Sequence, residues 1–344
     1  MARPLHSSSV LQVEALARTQ LGLFTTDTAA RCGVSDKLLS HHSRPGGRWT
    51  RLYPRVYALA FLPADGRRQL LAALIWGGRG AVLSHHTAAA IHGLDGIHDG
   101  LPQLWTSRWH SASGLAAHHG AVPTADVVQR RSLRVTSLRR TVIDLAAVVD
   151  DDTLELVVES AFRRDRHLEF DHIPRTSGAA RLRRVLARRP PGAPPTESEL
   201  ETRYLQLIRG AGLPPPVRQH TVFDERGRCV GRLDVCWPEV GLWVELDGRA
   251  THTRAPALLS DRHRQNQLAD RLQWLPLRFT WDDVVSRPRR TARFTEQAYA
   301  RRRAQAERTV APDFSWDSRP RLTSGGEPSV TDFRRRGPSP ADFS

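Results

Sequence analysis

Residues 230–247 read VGRLDVCWPEVGLWVELD, two runs of alternating character on either side of Pro238-Glu-Val-Gly241. Alternation at a period of two sends successive side chains to opposite faces of a strand, and a Pro/Gly-bounded turn folds two such runs into a hairpin. Centring the turn between residues 239 and 240 sets Asp234 opposite Glu245 and Arg232 opposite Asp247. Leu233, Val235, Val244 and Leu246 then form an apolar face, and three carboxylates and a guanidinium gather on the other. Like charges on facing positions repel, so this pairing needs a compensating charge. A divalent cation supplies it most simply, because Mg²⁺ takes one or two carboxylates and fills its shell with water and phosphate oxygens. The alternative is a solvated polar face closed by an Arg232–Asp247 salt bridge.

Working outward, Thr196-Glu-Ser-Glu-Leu-Glu-Thr-Arg-Tyr-Leu-Gln-Leu-Ile-Arg209 predicts a helix. Thr196 and Glu199 form a capping box, and Leu200, Tyr204, Leu207 and Ile208 share a face with Glu201 at its edge. Gly210 and Gly212 end it. Val217 to Phe223 predicts a strand, and Asp224 to Gly227 the turn into the hairpin.

A helix bearing Glu201, then Asp234, then Glu245-Leu-Asp247 resembles the restriction-endonuclease-like PD-(D/E)XK core. The likeness is to an uncharacterised bacterial endonuclease-domain family related to very-short-patch repair enzymes. Thr196 to Glu201, Gly231 to Val235, Val244 to Gly248 with His252, Asp261 to Leu268, and Arg278 to Val284 match it in order. The resemblance implies a mixed central sheet and hydrolysis of DNA phosphodiesters with Mg²⁺ or Mn²⁺. It makes Asp234 and Glu245 the principal metal ligands and Glu201 an outer carboxylate. Asp247 stands where the wider superfamily has a lysine, and His252, Arg264 or Arg262 would then supply the positive charge that an aspartate cannot.

The first 62 residues predict a second module. Val10, Val13, Leu16, Ala17 and Leu21 recur at helical spacing, Phe24 to Asp27 can cap a second helix from Thr28 to Cys32, and Gly33 suits a tight turn. Ser35 caps a third helix, and Arg48 to Tyr57 interleaves cations with aromatics on a short hairpin. This order predicts a winged helix-turn-helix whose third helix reads DNA. Phe24-Thr-Thr, Ala29 to Ser35, Gly47-Arg-Trp49 and Arg55 to Leu59 resemble the N-terminal domain of AbiEi-type antitoxins of type IV toxin–antitoxin systems, where Arg55 replaces a customary glycine. The resemblance implies operator binding, autoregulation and a cognate toxin. Lys37, His41, Arg48, Arg51, Arg55 and, in the C-terminal module, Arg262 are the candidate nucleic-acid contacts.

Between these modules, residues 67–185 predict a mixed α/β middle domain that resembles the stretch after the winged helix in AbiEi-like proteins. His85, His86, His92, His98, His118 and His119 fall there without ligand spacing and predict surface or packing histidines. Residues 186–195, rich in proline, predict an extended linker, and residues 309–344, with five arginines and five acids among Pro, Ser and Gly, a disordered tail. The whole is a multidomain α+β chain, with the nuclease-like module over residues 196–308.

Its 344 residues carry 51 basic and 36 acidic side chains, a net charge of +15. That excess favours a polyanionic partner, DNA first and RNA second. Lys37 is the only lysine, however, so a bias toward GC-rich codons would also produce the surplus. Eight arginines against two glutamates over Ser286 to Arg308 are its densest stretch, fit for phosphate contact or for a solvated helix face. Cys32, Cys229 and Cys236 lack metal or disulfide spacing. With no apolar run of membrane length and no signal-like start, a cytoplasmic protein without membrane contact is expected. An oligomeric state is not encoded in any of these patterns; a two-fold operator would require a dimer.

Overall fold

The computed structural model describes residues 4–98, 100–109, 111–190, 192–223, 225–248, 268 and 272–310. It is a mixed α+β structure with three sheets, one antiparallel and two mixed. Among the described residues, no helix is long and apolar enough to cross a membrane.

The N-terminal elements are α1 (Pro4–Arg18), β1 (Leu23–Thr25), α2 (Thr26–Arg31), α3 (Asp36–His42), β2 (Trp49–Tyr53) and β3 (Val56–Leu59). Local chemistry sets their ends. The Thr25 hydroxyl accepts the Thr28 N–H and the Ser35 hydroxyl that of Leu38, while Gly33 takes φ +78° between α2 and α3. Strand β1 has no expectation behind it, since three residues are too short to carry a pattern; it adds to the hairpin in the order β1-β3-β2. Val13, Phe24, Leu39 and Trp49 fill the space between helices and sheet.

Next come α4 (Gly66–Gly77), β4 (Val82–Leu83), α5 (His85–His92), β5 (Gln103–Thr106), β6 (Ala116–His119), β7 (Val127–Arg130) and β8 (Leu133–Thr136). Helices α6 (Leu138–Leu145), α7 (Asp151–Arg164) and α8 (Ala179–Leu186) follow. The strands lie in the order β6-β5-β4-β8-β7, and Val142, Leu145, Leu154, Val158 and Leu182 bury the helices against one another.

The last group holds α9 (Glu199–Gly210), β9 (Val217–Phe223), β10 (Cys229–Trp237), β11 (Leu242–Asp247), β12 (Leu275–Thr280) and α10 (Pro288–Val310). The sheet runs β12-β11-β10-β9, with β12 parallel to β11 and the other neighbours antiparallel. Leu200, Tyr204 and Ile208 of α9 and Ala298 of α10 pack on Val235, Val244, Leu277 and Phe279.

Three expectations need correction here. Helix α9 is capped by Ser198, whose hydroxyl accepts the Glu201 N–H at 3.1 Å, not by Thr196. Thr196 is fully buried and spent elsewhere: Glu159 accepts its N–H at 3.0 Å, and Arg163 donates to its carbonyl and hydroxyl. A tertiary partner has outcompeted the local cap. Leu233 also leaves the apolar face of Val235 and Val244 and packs with Val222, Cys236, Trp243 and Leu268. The alternation breaks at Asp234, opposite which Gln219 adopts φ +50° between the pairs Leu233↔His220 and Val235↔Arg218. Last, Leu186 ends α8, and residues 187–190 and 192–195 are irregular but tied down. Arg188 pairs with Asp151 and Glu155 of α7, and Arg189 with Glu159 at 2.7 Å. The expected tail falls almost wholly beyond the described residues, which end with α10 at Val310.

Glu159, 2% exposed, meets Arg189, Arg218 and the Thr196 N–H. Removing one partner of a buried ion cluster strands the others and costs about 3–5 kcal/mol. Glu159→Ala is therefore expected to lower the urea midpoint strongly, whereas Glu307→Ala, which ends an exposed pair with Arg303, is expected to leave it within error.

Candidate functional site

Two neighbourhoods hold the residues singled out above. In the first, α3 presents Lys37 and His41 one helical turn apart, both exposed, and β2 presents Arg51, also exposed. Arg48, half exposed, is paired within the module. Its Nε and one Nη each donate to Glu14 at 2.7 Å, and Glu14 is 2% exposed. The Arg48 guanidinium holds the Glu14 carboxyl below its ordinary pKa range, so this pair bolts the hairpin to α1. Arg55 occupies the turn between β2 and β3 at φ +66°, the left-handed region that explains a glycine preference there. Its side chain reaches back to Asp27 at 2.6 Å and Thr26 at 3.2 Å.

The second neighbourhood is a cleft of about 620 Å³ in the C-terminal sheet, lined among others by Glu197, Arg232, Asp234, Glu245, Asp247 and Arg278. The hairpin register read from the sequence is the one observed, with Val235↔Val244, Cys236↔Trp243 and Trp237↔Leu242. The paired ladder ends at Val235↔Val244, one step short of Asp234 and Glu245. The Asp234 carboxylate accepts the Leu246 N–H at 2.9 Å, taking a backbone donor from the ladder. Burial raises the pKa of Asp234, and the Leu246 N–H opposes that rise.

The Arg232–Asp247 salt bridge of the alternative reading does not form. Arg232 instead pairs with Glu197 at 2.5 Å, and Asp247 lies 3.5 Å from Arg278. Arg278, a residue to which the sequence reading gave no role, also stands 3.1 Å from Glu245, its partner across the parallel β11–β12 ladder. The like-charge problem of the hairpin is thus met in part by a guanidinium from a strand 31 positions after Asp247. The only sequence signal for it was the alternation of Leu277, Arg278 and Phe279, which places Arg278 away from the core.

Glu201 of α9 is buried, at 3% exposure. One carboxylate oxygen accepts the Glu197 N–H at 2.5 Å, and Oε1 is buried with no hydrogen-bond partner. Burial, opposed by that N–H and reinforced by the charge of Asp234, pushes its pKa up to about 7. His252, Arg262 and Arg264 lie outside the described residues. Leu268 packs against Gly231, where a Cβ would meet its Cδ1 at 2.8 Å, so a larger residue there would have to displace the leucine side chain.

The donor set suits Mg²⁺ or Mn²⁺: Asp234 and Glu245 offer hard carboxylate oxygens at a polar cleft, and the unpaired Glu201 Oε1 calls for a proton or a cation. Among the described residues, no group of three or more His, Cys, Asp or Glu is arranged to hold a metal ion. The histidines of the middle region are used in packing. His85 and His118 stack at 3.6 Å, His86 and His118 bracket the Gln103 amide, and burial drops the His85 pKa to about 3.

Comparison with protein-family models and with curated proteins finds no match to this chain.

The Glu201 shift has a measurable consequence. Because its folded pKa is raised, its contribution to stability is fully present below about pH 4.5 and is lost as pH rises through about 7. In buffer with EDTA, Glu201→Gln is expected to gain stability relative to wild type between those limits, on the order of 3 kcal/mol. Parallel pH profiles of the two proteins would refute this.

Proposed function

We propose that this chain is a DNA-binding protein with a winged helix-turn-helix module at its N-terminus and a PD-(D/E)XK-like, Mg²⁺-dependent endonuclease domain at its C-terminus. The observation that carries the reading is the cleft where β10 and β11 part, which brings Asp234, Glu245 and Asp247 together beside Arg232 and Arg278. Carboxylates from two adjacent strands line it, and the buried Glu201 of α9 feels the charge of Asp234. A divalent ion bound by Asp234 and Glu245 would supply a water of lowered pKa and polarise a phosphodiester.

The chain's own residues do the remaining work. Asp234 is fixed by the Leu246 N–H, so its free oxygen faces the cleft in one orientation. Glu201 stiffens the start of α9 through the Glu197 N–H and keeps one oxygen in reserve. Hydrolysis adds a water oxygen to phosphorus, breaks the P–O ester bond and delivers a proton to the leaving oxygen. Cations at the rim favour the charge that develops on the phosphoryl oxygens. In the N-terminal module, Lys37, His41 and Arg51 are the exposed groups that would face DNA.

One observation favours a second reading. Glu245 and Asp247 already share Arg278, which suits an AbiEi-like regulator or antitoxin whose nuclease-like domain no longer cleaves. Incubating the protein with plasmid, linear duplex and single-stranded DNA in Mg²⁺, Mn²⁺ or EDTA separates the two. The nuclease reading expects metal-dependent cleavage that falls by about a hundredfold or more in Asp234→Asn and in Glu245→Gln. It is abandoned if wild type leaves every substrate intact. Both readings expect Lys37→Ala and Arg51→Ala each to weaken duplex binding and to reduce its salt slope by about 1.

A further inference from the structure

Helix α10 turns only one side to the rest of its module. Thr291, Thr295 and Ala298 are buried, and Arg302, on the same side, donates to the Val240 carbonyl at 3.0 Å. At about 3.6 residues per turn, Arg289, Arg293, Arg301 and Arg308 fall on the opposite side, within an arc of about 120°. All four are exposed, and among the described residues none of them has a hydrogen-bond or ion-pair partner for its side chain. The two glutamates of the helix, Glu296 and Glu307, stand at one edge of this arc, and Arg303 takes Glu307 at 2.9 Å.

Arginines on other helices of the chain are used differently. Arg181, Arg184 and Arg188 converge on Asp151, and Arg209 reaches Glu155. On α10, Arg289 and Arg293 lie one turn apart, a like-charge spacing that destabilises a helix until something neutralises it. Codon bias explains how many arginines the chain carries, but not why four unpaired ones share a face. Their spacing suits an extended anion. At 1.5 Å per residue, Arg293 and Arg301 stand about 12 Å apart along the axis and Arg301 and Arg308 about 10 Å, on the scale of the roughly 12 Å major groove that separates two phosphate ridges. Phe294, at the border of the arc, already packs edge-on against Phe279. Unstacked bases would find no row of free rings there, which favours a duplex over a single strand.

We propose that the solvent face of α10 is a duplex-docking surface on which Arg289, Arg293, Arg301 and Arg308 neutralise backbone phosphates, independently of the contacts made by the N-terminal module. This rests on the DNA-binding half of the reading above and requires no cleavage. Phosphate contacts carry no sequence information, so this part of the affinity is salt-dependent and common to all duplexes.

The test measures binding of a random-sequence duplex to the full chain in EDTA across a range of salt. Four proteins are compared: wild type, Arg293→Gln/Arg301→Gln/Arg308→Gln, the same triple change to lysine, and Arg79→Gln/Arg166→Gln/Arg175→Gln. The last removes equal charge from exposed arginines of the middle region. Glutamine and arginine have similar helix propensity, and circular dichroism verifies folding. The α10 glutamine variant is expected to lose about tenfold or more in affinity near 0.1 M salt, with a salt slope reduced by about 3. The lysine variant and the middle-region variant are expected to stay within about twofold of wild type. If the triple variant fails to fold, the three single glutamine variants carry the test, each lowering the slope by about 1. Equal losses in the α10 and middle-region variants show an effect of net charge and overturn the surface. An α10 variant that binds like wild type, while Lys37→Ala or Arg51→Ala weakens binding, overturns this inference and leaves the DNA-binding reading standing. A wild type that binds no duplex at any salt overturns both.

Discussion

The buried carboxylate of Glu159 holds the C-terminal half of the molecule in place. It binds the Thr196 N–H, Arg189 and Arg218, and so joins α7, the proline-rich segment and β9 at one point. Glu155, one turn earlier on α7, does the same for Arg188 and Arg209 of α9. Burying charge is expensive, and such a cluster is maintained only when every member is paired. Its effect reaches the cleft through a short chain of contacts. Fixing Thr196 fixes Glu197 and Ser198; Ser198 caps α9, Glu201 grips the Glu197 N–H, and Glu197 takes Arg232 at the cleft wall. The proline-rich segment acts as a bracket here, although proline content alone suggests a spacer.

Strain sits next to this chain of contacts. Gln219 in the left-handed region opposite Asp234 costs of order 1–2 kcal/mol, and Asp234 spends a carboxylate oxygen on a backbone N–H that would otherwise serve the ladder. Beside them the β10–β11 ladder ends at Val235↔Val244, and Leu233 packs in the opposite layer. A regular hairpin of the same sequence would bury nothing less, but it would close the gap between Asp234 and Glu245. The left-handed Gln219 stands opposite Asp234, and a second irregularity lies further along the same pair of strands at Cys229/Gly231.

The hairpin register was legible because a two-residue period and a bounded turn determine it locally, and Val235↔Val244 follows from the turn alone. The Ser35 cap and the Gly33 turn were legible for the same reason. What failed depended on distant partners. Thr196 looks like a cap until Glu159 and Arg163 claim it. The pairing of Arg48 with Glu14 joins positions that no local pattern connects. Arg278 could not be assigned from spacing, because parallel pairing of β12 with β11 joins segments that no short turn connects. The alternation rule misplaced Leu233 because it has no way to register a left-handed residue on the neighbouring strand.

The arginine surplus now has a more specific meaning. Many of these side chains serve the fold: Arg164 donates to the His92 carbonyl at the end of α5, Arg181 to those of Ala146 and Val149, and Arg302 to that of Val240. A guanidinium caps a carbonyl and reaches a carboxylate with the same fork, and its long stem packs on apolar surface, which a short polar residue cannot do. A net charge of +15 therefore does not measure a nucleic-acid footprint. Placement does. Lys37 and Arg51 on the N-terminal module, and Arg289, Arg290 and Arg293 at the start of α10, remain exposed. Thr280, the partner of Asp247 across the ladder, is the last residue of β12, and the buried Thr291 of α10 donates to the Asp283 carbonyl just beyond it. The start of α10 is thereby anchored to the segment that follows the end of β12.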